Sequence, residues 1–408
     1  MNILFLTMNN FGSVLEHSIY PDLIRSFAKK GNRITVLLPC EKRYGLNTTC
    51  EQIDNITVIK VKTGNLFDVK LVTKFLSRMG LLKRYKKALK KYVRFEKYDA
   101  VLSSTPPTTL YPLINSIKKR DGALSYLMLK DIFPQNAVDL EMISEGGLAH
   151  RIFRFFERRL YLSSDYIGCM SPANVKYLLK QDPWIDCEKV GICPNALEIL
   201  KFSGVDKKII RGKYDIPNEK IVFVYGGGLG KPQGIDFFVK CIKKINRSDK
   251  YMFVVIGAGP YLEELERLSD DYRDILKVIP WVPVDDFNEI VAGCDVGLIF
   301  LDNRFTIPNF PSRLLTYLQA GIPVLSATDE NCDVGYISKK NGFGYWCKSD
   351  DEEDFISLLA LFEDELIRRE MGEKSRLFFE KNCDVDIVSD SIIRCLTELK
   401  ARGDPVRV

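Results

Sequence analysis

The stretch Lys220-Ile221-Val222-Phe223-Val224-Tyr225-Gly226-Gly227-Gly228-Leu229-Gly230-Lys231-Pro232-Gln233-Gly234 decides the fold. Lys220–Tyr225 is a short apolar run of β-forming residues and predicts a buried strand. Glycines follow at once, and a helical pattern takes over at Ile235–Ile245. Strand, glycine turn and helix in that order are the repeating unit of a doubly wound α/β sheet. Glycines there let backbone N–H groups approach an anion, and a helix start favours negative charge. Lys231 adds a full positive charge. The pattern is not a Walker A loop, nor a G-x-G-x-x-G followed by an acid at the dinucleotide distance. A plain tight turn would carry the same glycines.

The unit recurs in both directions. Downstream, Tyr251–Ile256 ends in Gly257 and Gly259, and Val278–Ile279, Val296–Phe300 and Pro323–Ala327 continue the series. Upstream, Ile3–Met8, Arg33–Leu38, Thr57–Val61, Ala100–Ser103, Leu124–Leu129 and Tyr166–Met170 read as strands, with helical sequence between them. Near-continuous apolar strands separated by helices imply parallel sheets covered on both faces. A length of 408 residues suits two domains. The expected division is a first domain over 1–197, a linker over 198–219 and a second domain over 220–385. A final helix over about 386–402 is expected to pack back on the first domain. Two Rossmann-like domains facing across a cleft would bind ligands outside the carboxyl ends of their strands.

Composition narrows the classes. The chain is 46% hydrophobic and 28% charged, as globular proteins are. No apolar run approaches the roughly 20 residues of a membrane span. Met1–Met8 lacks the basic leader of a signal peptide and reads as a strand. The 11 cysteines include no C-x-x-C pair, and only two histidines exist, His17 and His150, so no metal site is expected. Scattered cysteines fit a reducing cytoplasm. The net charge of +5 is modest and by itself argues neither for nor against nucleic acid, though no nucleic-acid partner is expected.

Three other segments carry candidate chemistry. Ile307–Pro323 is a Pro-rich loop, a short helix starting near Ser312, and Gly321 before a strand. Ser312 as N-cap and Arg313 beside it would offer N–H groups and a guanidinium to an anion. Lys130-Asp131-Ile132-Phe133-Pro134 follows a strand, where Asp131 could orient a hydroxyl acceptor or merely cap a turn. Ser103-Ser104-Thr105-Pro106-Pro107 could add hydroxyls. From Lys74 to Lys97 the chain holds ten Lys or Arg and one acid, Glu96, with Phe75, Leu76, Met79, Leu81, Leu82, Leu89 and Val93 interleaved. Such a helix suits an anionic membrane surface, to which Arg151–Arg159 with Phe153, Phe155 and Phe156 would add, or a solvated face packed on a sheet. Asp384-Val385-Asp386 mimics a metal-binding D-x-D but lies away from any strand-end loop.

At this point the residues resemble a family: the retaining GT-B glycosyltransferases of family 4. Met1–Gly12 and Leu23–Pro39 look like its opening strand, loop and helix. Cys193-Pro194-Asn195-Ala196 looks like its P-N-G segment, and Ile256-Gly257-Ala258-Gly259-Pro260 like its G-x-G-P turn. Ile279-Pro280-Trp281-Val282-Pro283 resembles its nucleobase loop. Asp131-Ile132-Phe133-Pro134 and Ile307–Arg313 are similar to the N-acetyl-fucosamine transferase-like subgroup of capsule and O-antigen pathways. The family's E-x7-E glutamates are replaced by Pro308 and Thr316, while Phe310 matches the aromatic between them. Its glycine-loop Arg and Lys align with Gly228 and Gln233, leaving Lys231 and Arg313 to supply positive charge.

The resemblance implies a UDP-sugar donor, an N-acetylated hexosamine by preference, held by Gly227, Gly228, Gly230, Gln233, Gly257, Trp281, Val282, Phe310, Pro311, Ser312 and Thr316. Asp131, Lys231 and Arg313 are the expected catalytic residues, and Gly12, Ser13, Ser104 and Thr105 lie on the acceptor side. The nucleotide sugar is a co-substrate, and no cofactor or metal is expected. The expected acceptor is a lipid-linked saccharide, met by a cytoplasmic enzyme with peripheral contact at the inner face of the cell membrane. Front-face transfer with retention is what the family implies. A GT-B-fold UDP-N-acetylhexosamine epimerase and a non-catalytic nucleotide-sugar-binding partner are the rival readings, and a dinucleotide oxidoreductase is a remote one.

Overall fold

The computed structural model describes residues 1–66, 71–200, 206–245 and 250–403, and of 71–76, 78 and 79 the backbone alone. The chain divides into two units, Met1–Leu197 with the segment from Val385 onward, and Glu198–Asp384. The first is built on eight strands: Asn2–Leu6 (β1), Arg33–Glu41 (β2), Thr49–Ile53 (β3), Ile56–Thr63 (β4), Ala100–Ser104 (β5), Leu124–Leu129 (β6), Tyr166–Cys169 (β7) and Val190–Ile192 (β8). Their order is β3-β4-β2-β1-β5-β6-β7-β8, parallel except for the β3–β4 pair. The order reverses between β1 and β5, which makes their carboxyl ends the switch point where such sheets bind ligands.

Burial explains the inner strands. Ile3, Leu4, Phe5 and Leu6 of β1 have no exposed surface, and β6 is buried throughout. Strands covered on both faces cannot alternate with polar residues. Their core includes Ile24 and Phe27 from the helix Ile19–Lys29, and Val388, Ile392 and Leu396 from the final helix Val385–Ala401. Ser26 Oγ donates to Asp386 Oδ1 at 2.6 Å, and Lys30 Nζ meets Asp390 Oδ1 at 2.7 Å. The D-x-D mimic therefore starts this docked helix.

Among its described residues the second unit has six strands: Ile221–Gly228 (β9), Tyr251–Ala258 (β10), Leu276–Pro280 (β11), Val296–Phe300 (β12), Val324–Thr328 (β13) and Gly344–Lys348 (β14). They are all parallel, in the order β11-β10-β9-β12-β13-β14, with the switch between β9 and β12. Aromatic contacts run through the core, the stacked pairs being Phe223 with Phe253, centroids 5.3 Å apart, and Tyr225 with Phe300, 5.7 Å apart.

The segment 198–219, expected as a linker, groups with the second unit. Its helix Lys207–Lys213 carries Arg211, which is buried. Arg211 donates to Gly293 O at 2.8 Å and to Asp295 Oδ2 at 2.6 Å, and Val222 N donates to the same oxygen at 2.8 Å. Burial works against the Asp295 carboxylate, yet Lys207, Arg211 and the Val222 N–H together hold its pKa below the usual range.

Candidate functional site

The glycine stretch forms the carboxyl end of β9, as its sequence requires. Gly227 and Gly228 are exposed there, while Gly226 is buried. Gly227 has φ +135°, and a Cβ on it would lie 3.1 Å from Arg313 Nη2, so a larger residue would be strained and would crowd the guanidinium. Gly257, at the adjacent end of β10, would place a Cβ 1.9 Å from the Gly227 carbonyl oxygen. The two strand ends therefore close together only with glycine at this position. Lys231-Pro232-Gln233 makes a short turn before the helix Ile235–Lys244, and Lys231 is exposed. Gln233 Oε1 lies 3.0 Å from where a Gly230 Cβ would stand.

Two buried tyrosines set the loop. Tyr225 Oη donates to Gly228 O at 2.8 Å, and Gly226 N donates to Tyr317 Oη at 3.1 Å. Tyr317 stands on the helix Arg313–Ala320, so this bond ties that helix to the end of β9. Arg313 opens the helix, with its guanidinium carbon 4.4 Å from the Tyr225 ring centroid. Burial pushes the Tyr225 phenol pKa up, and Arg313 pulls it back. Arg313 Nη1 is buried and has no hydrogen-bond partner among the described residues. A charged donor in that state costs free energy until an anion meets it.

Ser312 differs from its expected role. Its backbone is already helical, at φ −64° and ψ −24°, and its side chain makes no capping hydrogen bond. An N-cap side chain reaches the first-turn N–H groups from an extended backbone, which Ser312 lacks; it lies exposed at the helix start. Phe310 and Pro311 before it are half-buried, as is Thr316 one turn into the helix. Trp281 follows β11 and is 70% exposed, with Val282 half-buried beside it. All the donor-side candidates except Thr316 thus lie at the carboxyl edge of one sheet, and Thr316 stands one turn further along the Arg313 helix.

Sequence reasoning passed over two features of this edge. Asp302, just past β12, accepts from Arg304 Nη2 at 2.7 Å and Arg304 Nε at 2.8 Å. Burial opposes its charge, but Arg304 and the nearby Lys231 keep its pKa low. Asp329, just past β13, is 4% exposed and accepts from Asn331 N at 2.8 Å and Cys332 N at 2.9 Å through Oδ1 alone. In the sequence it is one of several polar residues in an apparent turn, and only the fold shows it buried.

In the first unit, Asp131 stands exposed after β6. Ser104 and Thr105, expected to offer hydroxyls to an acceptor, are buried. Thr105 Oγ1 accepts from Lys130 N at 2.9 Å and Asp131 N at 3.1 Å, so it fixes the Asp131 backbone. Ser104 Oγ lies 3.5 Å from Thr7 Oγ1 and hydrogen-bonds the Tyr20 side chain, whose pKa burial raises. Lys130 Nζ donates to Cys193 O at 3.3 Å, and burial pushes its pKa down. In the loop after β1, Ser13 N donates to Glu16 Oε1 at 3.0 Å, and Gly12 O accepts from Lys60 Nζ. These two residues are held by local bonds, with Gly12 exposed.

The basic segment forms the helix Leu71–Tyr92. Leu81, Tyr85, Ala88 and Leu89 are buried, and Tyr85 Oη donates to Thr7 O at 2.9 Å. This apolar face packs on the sheet, so it is not free to enter a membrane. Lys83, Arg84, Lys86, Lys87, Lys90 and Lys91 are exposed, and Phe95 beyond the helix is 89% exposed. The side chains of Lys74, Phe75, Leu76 and Met79 lie outside the described residues.

Residues 206–378 match the family model "Glycosyl transferases group 1". The chain is 23% identical over 321 residues to a probable glycosyltransferase, WbjE, of Pseudomonas aeruginosa, covering 75% of this chain and 76% of that one. It is 21% identical over 249 residues to WcaI of Escherichia coli, a putative colanic acid biosynthesis glycosyl transferase, over 59% of this chain and 60% of the relative. Against the crystal structure of Anabaena HepE in complex with UDP, the TM-score is 0.70 at 14% identity, covering 98% of this chain and 100% of the other. The two parallel-sheet units are those of the GT-B fold, and with the match over 206–378 and relatives named as glycosyltransferases the chain is read as a glycosyltransferase enzyme.

Proposed function

We propose that the enzyme transfers an N-acetylated hexosamine from a UDP-sugar to a lipid-linked saccharide during surface polysaccharide assembly, with retention and without a metal. The observation that carries the donor side is the unpartnered Arg313 Nη1 beside the exposed Gly227–Gly228 backbone. A diphosphate answers that charge. Trp281, at the end of β11 two strands away, offers an exposed ring for a nucleobase. HepE, of like fold, is described in complex with UDP, and WcaI is named for colanic acid biosynthesis; both support the reading.

In the proposed step, the bond from the sugar anomeric carbon to the phosphate oxygen breaks. The acceptor oxygen bonds to the same carbon, and its proton passes to the leaving phosphate. Arg313, Lys231 and the Gly228 N–H stabilise the charge that develops there. Such donors supply the electrostatic work that a divalent ion performs elsewhere. Asp131 orients the acceptor hydroxyl. The exposed cations of the helix Leu71–Tyr92, with Phe95, bring the enzyme to an anionic membrane, each cation near the surface contributing about 1 kcal/mol.

The test is turnover of UDP-N-acetylhexosamines with a polyprenyl-diphosphate-linked saccharide in EDTA, read by mass spectrometry. Elongation of the acceptor by one N-acetylhexosamine is expected. Release of a free sugar isomer without elongation would favour an epimerase, and UDP binding without turnover a non-catalytic role. Pelleting with phosphatidylglycerol vesicles at low salt, reversed by high salt, is expected for the membrane contact; no pelleting would remove it.

A further inference from the structure

Four buried polar atoms without partners among the described residues crowd the carboxyl edge of β12, β13 and β14: Asn309 Nδ2, Arg313 Nη1, Asp329 Oδ2 and Ser349 Oγ. Native proteins satisfy nearly all such atoms, and each orphan calls for an explanation. Arg313 is answered by the diphosphate. The others cannot serve that anion together, because a carboxylate repels it.

Asp329 and Asn309 are held close by one residue. Cys332 N donates to Asp329 Oδ1 at 2.9 Å, and Cys332 Sγ donates to Asn309 O at 3.0 Å. Asn331 Nδ2 adds a bond to Phe305 O at 2.8 Å, so the turn after β13 is fastened to the loop that carries Asn309. Ser349 N donates to Thr328 O at 3.1 Å, which sets Ser349 beside the start of that turn. Oδ1 of Asp329 is spent on the turn, and Oδ2 is surplus to it. Burial raises the Asp329 carboxyl to about 6, against the backbone N–H bonds that lower it.

A carboxylate oxygen and an amide N–H group with no other partner match a neutral hydroxyl, which donates to the first and accepts from the second. Asn309 lies four residues before Arg313 on the same loop. We propose that Asp329 Oδ2 and Asn309 Nδ2 read hydroxyls of the transferred sugar, in place of the family glutamate that Pro308 displaces. The inference rests on the donor reading above. It also excludes one class of donor: a sugar bearing its own carboxylate, such as a hexuronate, would bring a second negative charge to Asp329.

The experiment is calorimetric titration of UDP, UDP-N-acetylglucosamine, UDP-N-acetylgalactosamine, UDP-glucose and UDP-glucuronate against the wild-type protein, Asp329→Asn and Asn309→Ala. Asp329→Asn keeps the shape and an oxygen for the turn, and Asn309→Ala guards against a folding failure of the first variant. In the wild type, one of the neutral UDP-sugars is expected to bind about tenfold tighter than UDP, and UDP-glucuronate no tighter than UDP. Both variants should keep the UDP affinity within about twofold while losing that tenfold advantage. Variants that retain the advantage would overturn the proposal with the donor reading intact, as would a wild type that binds UDP but gains nothing from any sugar. A wild type that binds neither UDP nor any UDP-sugar would overturn the donor reading itself.

Discussion

Replacing Arg313 by Met should raise or leave unchanged the stability of the free protein while sharply weakening UDP binding. In the free protein the buried Nη1 has no partner among the described residues, a state that costs about 1–3 kcal/mol. Against that, the guanidinium lies 4.4 Å from the Tyr225 ring centroid, a contact that contributes about 0.5–2 kcal/mol. Met fills the same volume over the ring, so the two effects nearly cancel or favour the variant. With UDP bound the balance reverses. A hydrogen bond from a charged donor contributes about 1.5–3 kcal/mol, so its loss weakens binding roughly 10- to 150-fold. At a UDP concentration a hundredfold above the wild-type Kd, binding stabilises the wild type by about 2.7 kcal/mol. A variant with a hundredfold weaker Kd would gain only about 0.4 kcal/mol at that concentration. In a thermal melt of the second unit, a shift of roughly 5–10 °C would fall to about 1 °C. A variant that is clearly less stable without ligand yet shifts as far with UDP as the wild type would make Arg313 a structural clamp and not a phosphate ligand.

Other consequences are as direct. Lys231 is exposed, so Lys231→Ala should leave the melting temperature unchanged and weaken UDP by roughly fivefold, an effect that fades with added salt; a salt-independent loss would contradict a point-charge role. The Asp329 carboxyl, raised from 3.8 to about 6 by burial, binds its proton more tightly in the folded state, so it lowers stability as pH rises from about 4 to 6. Asp329→Asn should therefore gain on the wild type by about 2–3 kcal/mol between pH 4 and pH 7, and parallel stability profiles across that window would contradict it. The Asp295 carboxyl is held low by Lys207, Arg211 and the Val222 N–H despite its burial, so its contribution is present above the ordinary carboxylate range and lost as pH falls below it. Asp295→Ala strands Arg211, which is 5% exposed, and should cost about 3–5 kcal/mol at pH 7 by chemical denaturation; a loss below 1 kcal/mol would show the pair to be dispensable.

The inner strands were legible because burial on both faces writes itself into the sequence as unbroken apolar runs, such as Ile3–Leu6 and Val222–Tyr225. Edge strands leave no such mark. Thr49–Ile53 is exposed over most of its length and polar, and Gly344–Lys348 is half-covered; neither run stands out from a loop. The glycine loop, Arg313 and Trp281 could be picked from local pattern and family likeness, since turns and strand ends are local features. The engagement of Thr105 with the Asp131 backbone could not, nor the inward face of the helix Leu71–Tyr92, because each depends on what the chain brings against it. Asp329 is the extreme case: within Asp329-Glu330-Asn331-Cys332-Asp333 it looks solvated, and only the loop around Phe305 and Asn309 buries it.

The most direct measurement is a thermal-shift titration of the whole chain against UDP, GDP, ADP and NAD, in EDTA. A selective, saturable rise with UDP is expected, of about 2.7 kcal/mol at a hundredfold excess over Kd. A rise with GDP or ADP alone would contradict the UDP assignment, and no rise with any of the four would contradict the reading of Arg313 and the glycine loop as a diphosphate site.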